Sequence, residues 1–388
     1  VMWPLYSVKK EAMPVVLGLF YTITNYNFSY SYMPYEVYQY DALIAFGLLL
    51  GYNKDSPISI RIPKFLIVWL VMISFIDLFT EFKIFYISYS ILGLILLWPY
   101  LKIGDEKQLR LMSLGFVVTG TVLAINFLVF GGKYAESYYG GGGFERQGWT
   151  DANYFGCVIG MGIVAAMVEL LHGKNNFLLK GIYMISTTVM FACLAMNASR
   201  GAMLAVGLSS FILVFLTKIK TIYKVLFAII IIALIIGMFN MGFLDLLIYR
   251  IESDSGGGGS GRLIIWTRKL DAFFTDAHML NFLFGMGQVG GRALALDTHI
   301  STGFHNDFIA FFCEYGILGL FLFIEWLYYP IKVECSNKGL ITSVVVYIAA
   351  CGLTLEPVSA GKFTYFIFWA YAFQLGVHQN IKYKIIEK

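Results

Sequence analysis

The sequence predicts an all-α, polytopic membrane protein. It reads as one membrane unit over residues 1–388, with about twelve transmembrane helices and one large outer loop, 249–306, between late spans. Three observations lead there. Hydrophobic residues make up 59% of the chain and charged residues only 13%, where a soluble domain carries about 25% charged. Apolar runs of roughly 20 residues, the length that crosses a bilayer, recur along the whole chain. These runs are continuous, unlike the short alternating segments of a membrane β-barrel.

The spans are expected near 11–27, 38–52, 63–80, 84–101, 110–131, 151–172, 177–197, 201–217, 222–248, 307–330, 339–356 and 362–378. The first is the weakest, because "YTITNYNFSYSY" is polar and aromatic; its tyrosines suit an interface belt. No small-residue cleavage site follows a short apolar core at the start, so no cleavable signal peptide is expected. Charge then orients the spans. Eighteen of the 28 basic residues fall on one alternating set of connections and tails, among them Lys9, Lys10, Arg61, Lys102, Lys218 and Lys382. The positive-inside rule places that set, and both termini, in the cytoplasm. Segments 132–150, 198–200 and 249–306 then share the opposite, outer face.

The cysteines are five, an odd number with no C-x-x-C pair, and suggest neither a disulfide framework nor a zinc site. No nucleotide-binding glycine fingerprint, internal repeat or nucleic-acid-binding patch is present. The outer loop is too long to be plain connection. Its "RLIIWTRKLDAFFTDAHMLNFLF" has helical apolar spacing, which predicts an amphipathic helix on the membrane surface. "FGMGQVGGRALALDTHISTGFHN" is a glycine-broken return to His305. Two glycine tetrads, Gly140 to Gly143 and Gly256 to Gly259, precede Arg146 and Arg262; they read either as flexible linkers or as backbone that can approach a ligand.

Few outer residues can do chemistry. Arg200, in "NASRGAML", either snorkels to the interface or serves as an anion ligand at a helix start. Arg262, in "GSGRLIIW", is either a solvated loop residue or a forked donor to phosphate oxygens. Arg146, in "GGGGFERQGW", could equally pair with Glu145 or Asp151. His305 is either a hydrogen-bonded structural residue or a base, since imidazole accepts a proton near neutral pH. Asn306 and Asp307 beside it can cap the following helix. Asp297, His299, His305 and Asp307 are metal-ligand types at a spacing that matches no strong motif, and "G-x-S-x-G" is absent. Arginines at the membrane–water boundary can hold a diphosphate leaving group, while one imidazole removes a proton from an incoming hydroxyl. A transporter is the competing class; its broken spans or paired repeats are not evident in the sequence.

The order of these segments resembles a known family. Arg146 followed by "DAN" (Asp151 to Asn153), "SRG" (Ser199 to Gly201), "SGRLIIW" in a long outer loop, "LFGMG" (Leu283 to Gly287) and "HNDFI…EYGILG" (from His305) are similar, over about 110–330, to the bacterial O-antigen polymerase and O-antigen ligase superfamily. The resemblance implies a metal-independent, GT-C-like membrane glycosyltransferase with no cofactor. It would act on glycan linked to undecaprenyl pyrophosphate, at the periplasmic face of the inner membrane. His305 resembles the family's general base, Arg200 and Arg262 its diphosphate-binding arginines, and Arg146 a further member. Membrane lipid and a chain-length regulator protein would be partners, nucleic acid would not, and transfer would invert the anomeric carbon. Between the two activities, the "GFHNDFIAFFCEYGILGL" stretch and the tyrosine-rich outer segments look more like polymerases.

Overall fold

The computed structural model describes residues 62–82, 84, 86–98, 106–130, 134–135, 145–146, 152–173, 176–218, 220–240, 261–295, 303–332 and 337–386. The expected spans 11–27 and 38–52 and both glycine tetrads lie outside these residues.

The described chain is helical: α1 (Lys64–Glu81), α2 (Tyr86–Leu97), α3 (Glu106–Phe130), α4 (Ala152–His172), α5 (Phe177–Asn197), α6 (Arg200–Phe215), α7 (Thr221–Asn240), α8 (Arg262–Asp276), α9 (Met279–Phe284), α10 (Gly287–Ala293), α11 (Asp307–Tyr328), α12 (Lys338–Thr354) and α13 (Phe363–Ile386). One two-residue antiparallel pair, β1 (Tyr134–Ala135) with β2 (Glu145–Arg146), is the exception. Four stretches, 108–129, 153–172, 177–197 and 307–332, are helices long and apolar enough to cross a membrane. α6 and α12 are shorter apolar helices.

Small residues let the central helices approach. A Cβ at Gly162 would meet the Phe116 carbonyl at 3.0 Å and the Gly120 Cα at 3.2 Å, so α3 and α4 touch backbone to backbone there. α4 is buried along nearly its whole length, and α6 and α12 pack against it and each other. Because α5 crosses tightly into α6, Ala198 takes a left-handed conformation (φ 49°) and Ser199 an extended one (φ −82°, ψ 96°).

One expectation is corrected. The run from Asp307 was read as one unbroken span, but α11 reverses inside it. Gly316 has φ 69° and ψ −168°, a combination open essentially to glycine alone. Its two arms lie side by side. Phe311 stacks on Phe323 at 4.4 Å, and Phe308 meets Phe323 edge-on at 5.1 Å. In a straight helix, residues 308 and 323 would be about 22 Å apart. Gly319 permits the contact: a Cβ there would collide with the Tyr315 side chain on the first arm. The reversal is invisible to hydropathy because both arms are equally apolar. The "YGILG" glycines are its sequence trace.

Candidate active site

The elements that carry Arg200, Arg262 and His305 converge on a short strap, Gly303 to Asn306, which enters the first arm of α11. Two neighbours pin this strap on either side of His305. Before it, the Phe304 amide donates to Glu356 Oε2 at 2.7 Å. A side chain at Gly303 would collide with the same carboxylate. After it, the Asp307 amide donates to the Leu355 carbonyl at 3.0 Å, and Asn306 Nδ2 reaches the Leu353 carbonyl at 3.4 Å. Held at both sides, His305 is half-buried with φ 51°. A non-glycine residue pays for a left-handed backbone, so the surroundings must over-determine it, as they do at many functional sites.

The expected capping is half right. Asn306 is the N-cap of α11, its side chain accepting from Phe308 N (2.9 Å) and Ile309 N (3.2 Å). Asp307 does something else. Its buried carboxylate accepts from Val358 N (3.1 Å) and Ser359 N (2.8 Å), clamping the connection after α12. Asp307 is therefore committed to that connection; Asp297 and His299 lie outside the described residues.

Both arginine-bearing helices are tied to the same strap. Arg200 is the first helical residue of α6 and is half-buried. Next to it, Gly201 packs so closely on Thr354 that a Cβ would overlap its side chain; Thr354 adjoins Leu355, the acceptor of the Asp307 amide. Ser199 Oγ bonds Asn153 Oδ1 at 3.1 Å, bringing in the start of α4. Arg262 opens α8 behind Gly261, a left-handed cap (φ 75°). One turn on, Trp266 Nε1 donates to the Phe304 carbonyl at 2.8 Å, beside His305. Residues four apart share a helix face, so Arg262 lies on the face that meets the strap. The starts of α4, α6, α8 and α11 are thus linked into one cluster, each contributing the positive end of a helix dipole. Arg146 lies in β2, and the residues between it and α4 are outside those described.

Sequence reasoning missed the ionic layer behind the strap. Lys269, three residues beyond Trp266, is fully buried. Its ammonium donates to the carbonyls of Arg292 (3.0 Å) and Leu294 (3.1 Å) and stands 4.8 Å over the Phe304 ring. Burial holds its pKa below the usual lysine value, with Glu356 pulling the other way. Arg292 Nε bonds buried Glu314 Oε1 at 3.2 Å. Burial opposes the Arg292 charge, but Glu314 and Glu356 outweigh it and raise its pKa. A signal existed: Asp307, Glu314 and Glu356 are acids inside or at the end of apolar runs, where ionisable residues rarely stand without a role.

These features define a class: a helical membrane protein whose candidate site gathers one histidine and two arginine-bearing helix starts. Residues 185–324 match a family model, described as O-antigen ligase, from the middle of α5 to the second arm of α11. That matched segment contains Arg200, Arg262 and His305, and it bears out the recognition of the O-antigen ligase and polymerase superfamily. No curated protein matches the chain.

Proposed function

We propose that this protein is a membrane glycosyltransferase that moves a glycan from a polyprenyl diphosphate carrier, undecaprenyl pyrophosphate, to an acceptor hydroxyl. One observation supports this reading above the rest: two helices that begin in arginine converge on a strap holding one histidine in a strained, half-buried conformation. Arginines at helix starts suit a diphosphate twice over, through forked N–H donors and through the helix dipole.

In the proposed step, the acceptor O–H gives its proton to the His305 imidazole while its oxygen bonds to the anomeric carbon. The bond from that carbon to the phosphate oxygen breaks. The diphosphate leaves with the electron pair, its growing charge met by Arg200 and Arg262. A single in-line displacement inverts the anomeric centre, and the step calls on no metal or cofactor. Arg146 is proposed as a further ligand of the donor. A place in the inner membrane, with the site on its periplasmic face, belongs to the same reading; the twelve-span count and the shared side of the termini, which took 307–330 as one crossing, do not survive the reversal of α11.

Two acceptors are chemically equivalent here. With a second lipid-linked repeat unit the protein is an O-antigen polymerase, the reading we favour from the "HNDFI…EYGILG" segment, and a chain-length regulator would be its partner. With a lipid A–core sugar it is a ligase, the reading that the description of the matched family favours. Purified protein given a lipid-diphosphate oligosaccharide, with and without core acceptor, separates them on a sizing gel. A ladder without core means polymerase, and one core-dependent transfer means ligase. No transfer under either condition, from protein that binds the donor, overturns the proposal.

A further inference from the structure

The long loop bearing Arg262 was expected to ride on the membrane surface. Its exposed faces change along its length. The outward residues of α8 are mixed: Arg268, Asp271, Thr275 and Asp276 suit water and headgroups, while Leu263, Ile264 and Phe274 are apolar. Those of α9 are apolar: Met279 is 81% and Leu280 68% exposed, and Leu283 and Phe284 are exposed beside them.

We propose that α9 is sunk in the hydrocarbon of the bilayer, so that the loop dips into the leaflet instead of lying over it. Two contacts fix its level. Leu283 and Phe284 abut Gly316, the apex of the α11 hairpin, and Met286 N donates to the Cys313 carbonyl at 3.0 Å. The exposed face of α9 therefore runs on into Ile317, Leu318 and Phe321, the outward face of the second arm of α11, which belongs to a candidate span. Independently, Gly287 packs on Thr80 at the end of α1, where Phe75, Phe79 and Phe82 are exposed. The apolar belt of the bundle thus reaches the level of α9 on two separate helices. Lipid around α9 covers the apolar side chains that it exposes, which soluble surfaces keep from water.

A consequence follows for the site. The first arm of α11 runs from the apex back to the strap, and Phe308 lies level with Phe323, seven residues past Gly316. His305, three residues beyond Phe308, then sits about 15 Å along the bundle from α9, recessed below the top of the apolar belt.

The test is a depth measurement that does not depend on activity. Spin labels are placed by Leu280→Cys, Met279→Cys, Asp271→Cys and Phe79→Cys in full-length protein reconstituted in bilayers. Cys335 is replaced by serine; the four other thiols are buried. Relaxation by oxygen and by a water-soluble nickel chelate is then compared. Labels at 279 and 280 should match 79, open to oxygen and at least tenfold less open to nickel than 271. Nickel access at 280 equal to that at 271 overturns the proposal. So does closure to both agents with dipolar broadening, which would mean a second copy covers α9. Failure of the glycosyltransferase reading would leave this result untouched.

Discussion

Along the second arm of α11, on the side that packs against α1 and α13, stability comes from stacked rings. Trp69, Trp326 and Phe366 pack with centroids 5.2 to 6.3 Å apart, and Trp326, Trp369 and Tyr329 continue the stack at 5.6 and 6.1 Å. Backbone there is helical throughout, with one 3-10 turn at Tyr329–Lys332. Around His305 the chain does the opposite. Ala198, Gly261 and His305, which border the site, all take positive φ. Buried charges, Lys269, Asp307, Glu314 and Glu356, crowd behind it. Apolar contact is non-directional and tolerant, whereas charge and strain must be matched group by group. One region can therefore be perturbed with loss of stability alone; the other should lose function first.

The largest expected effect is at His305. Glycine there keeps the left-handed backbone and removes the imidazole, so His305→Gly isolates the base from the strain. Transfer should fall by a factor of about 10² to 10⁴, the usual contribution of a positioned base. Melting should stay close to wild type, because relief of the strained φ and the greater freedom of unfolded glycine offset each other to within about 1 kcal/mol. Full-length product from this variant would remove the proton-acceptor role. Next come Arg200→Ala and Arg262→Ala. A charge-assisted hydrogen bond is worth about 1.5–3 kcal/mol, so each should weaken use of the lipid-diphosphate donor roughly tenfold to a hundredfold in kcat/KM. Equal efficiency with either arginine gone would break the link between helix starts and diphosphate.

Much of this contrast was legible in the sequence. The described helices fall within a few residues of the expected spans over 63–215, because apolar run length is a direct signal of burial in lipid. Arg200, Arg262 and His305 stood out as chemistry-bearing residues on segments of shared sidedness, and the structure ties their elements together. The reversal at Gly316 was not legible, since hydropathy carries no information about φ. Nor was the turning of Asp307 toward Val358 and Ser359: its position beside Asn306 suggested a cap, and only the fold brings a connection 51 residues away to its carboxylate. Lys269 looked like the polar face of a surface helix. Its burial depends on the carbonyls at the end of α10, which no local pattern reveals.

Lys269 sharpens the comparison because it joins the Arg262 helix to the strap through Phe304. In Lys269→Met the stem still fills space while the bonds to Arg292 and Leu294 are lost. Transfer should drop about tenfold through kcat more than through donor KM, since the strap shifts while Arg262 remains. The pH dependence gives a second handle. The folded pKa is depressed, so the unfolded chain keeps this proton to higher pH than the folded one. Between the depressed value and the ordinary lysine value near 10.4, stability should therefore rise with pH, and below that window the penalty is constant. Thermal melting of wild type should show that slope, and the methionine variant should lose it.

The smallest effect belongs to the ring stack, and its smallness is what the comparison requires. Trp369 Nε1 donates to the Trp326 carbonyl, and its ring lies on Trp326 and Phe373. In Trp369→Phe the stacking partner remains aromatic while one buried hydrogen bond disappears. A bond of that kind contributes about 1 kcal/mol net, and the smaller ring leaves some unfilled volume besides. Melting should fall by a few degrees, with kcat and donor KM unchanged, because nothing in the stack touches the strap. A selective loss of transfer without loss of stability would show that the stack communicates with His305 through the two arms of α11. The division between a tolerant region and a matched region would then have to be redrawn at Gly316, the one residue that both share.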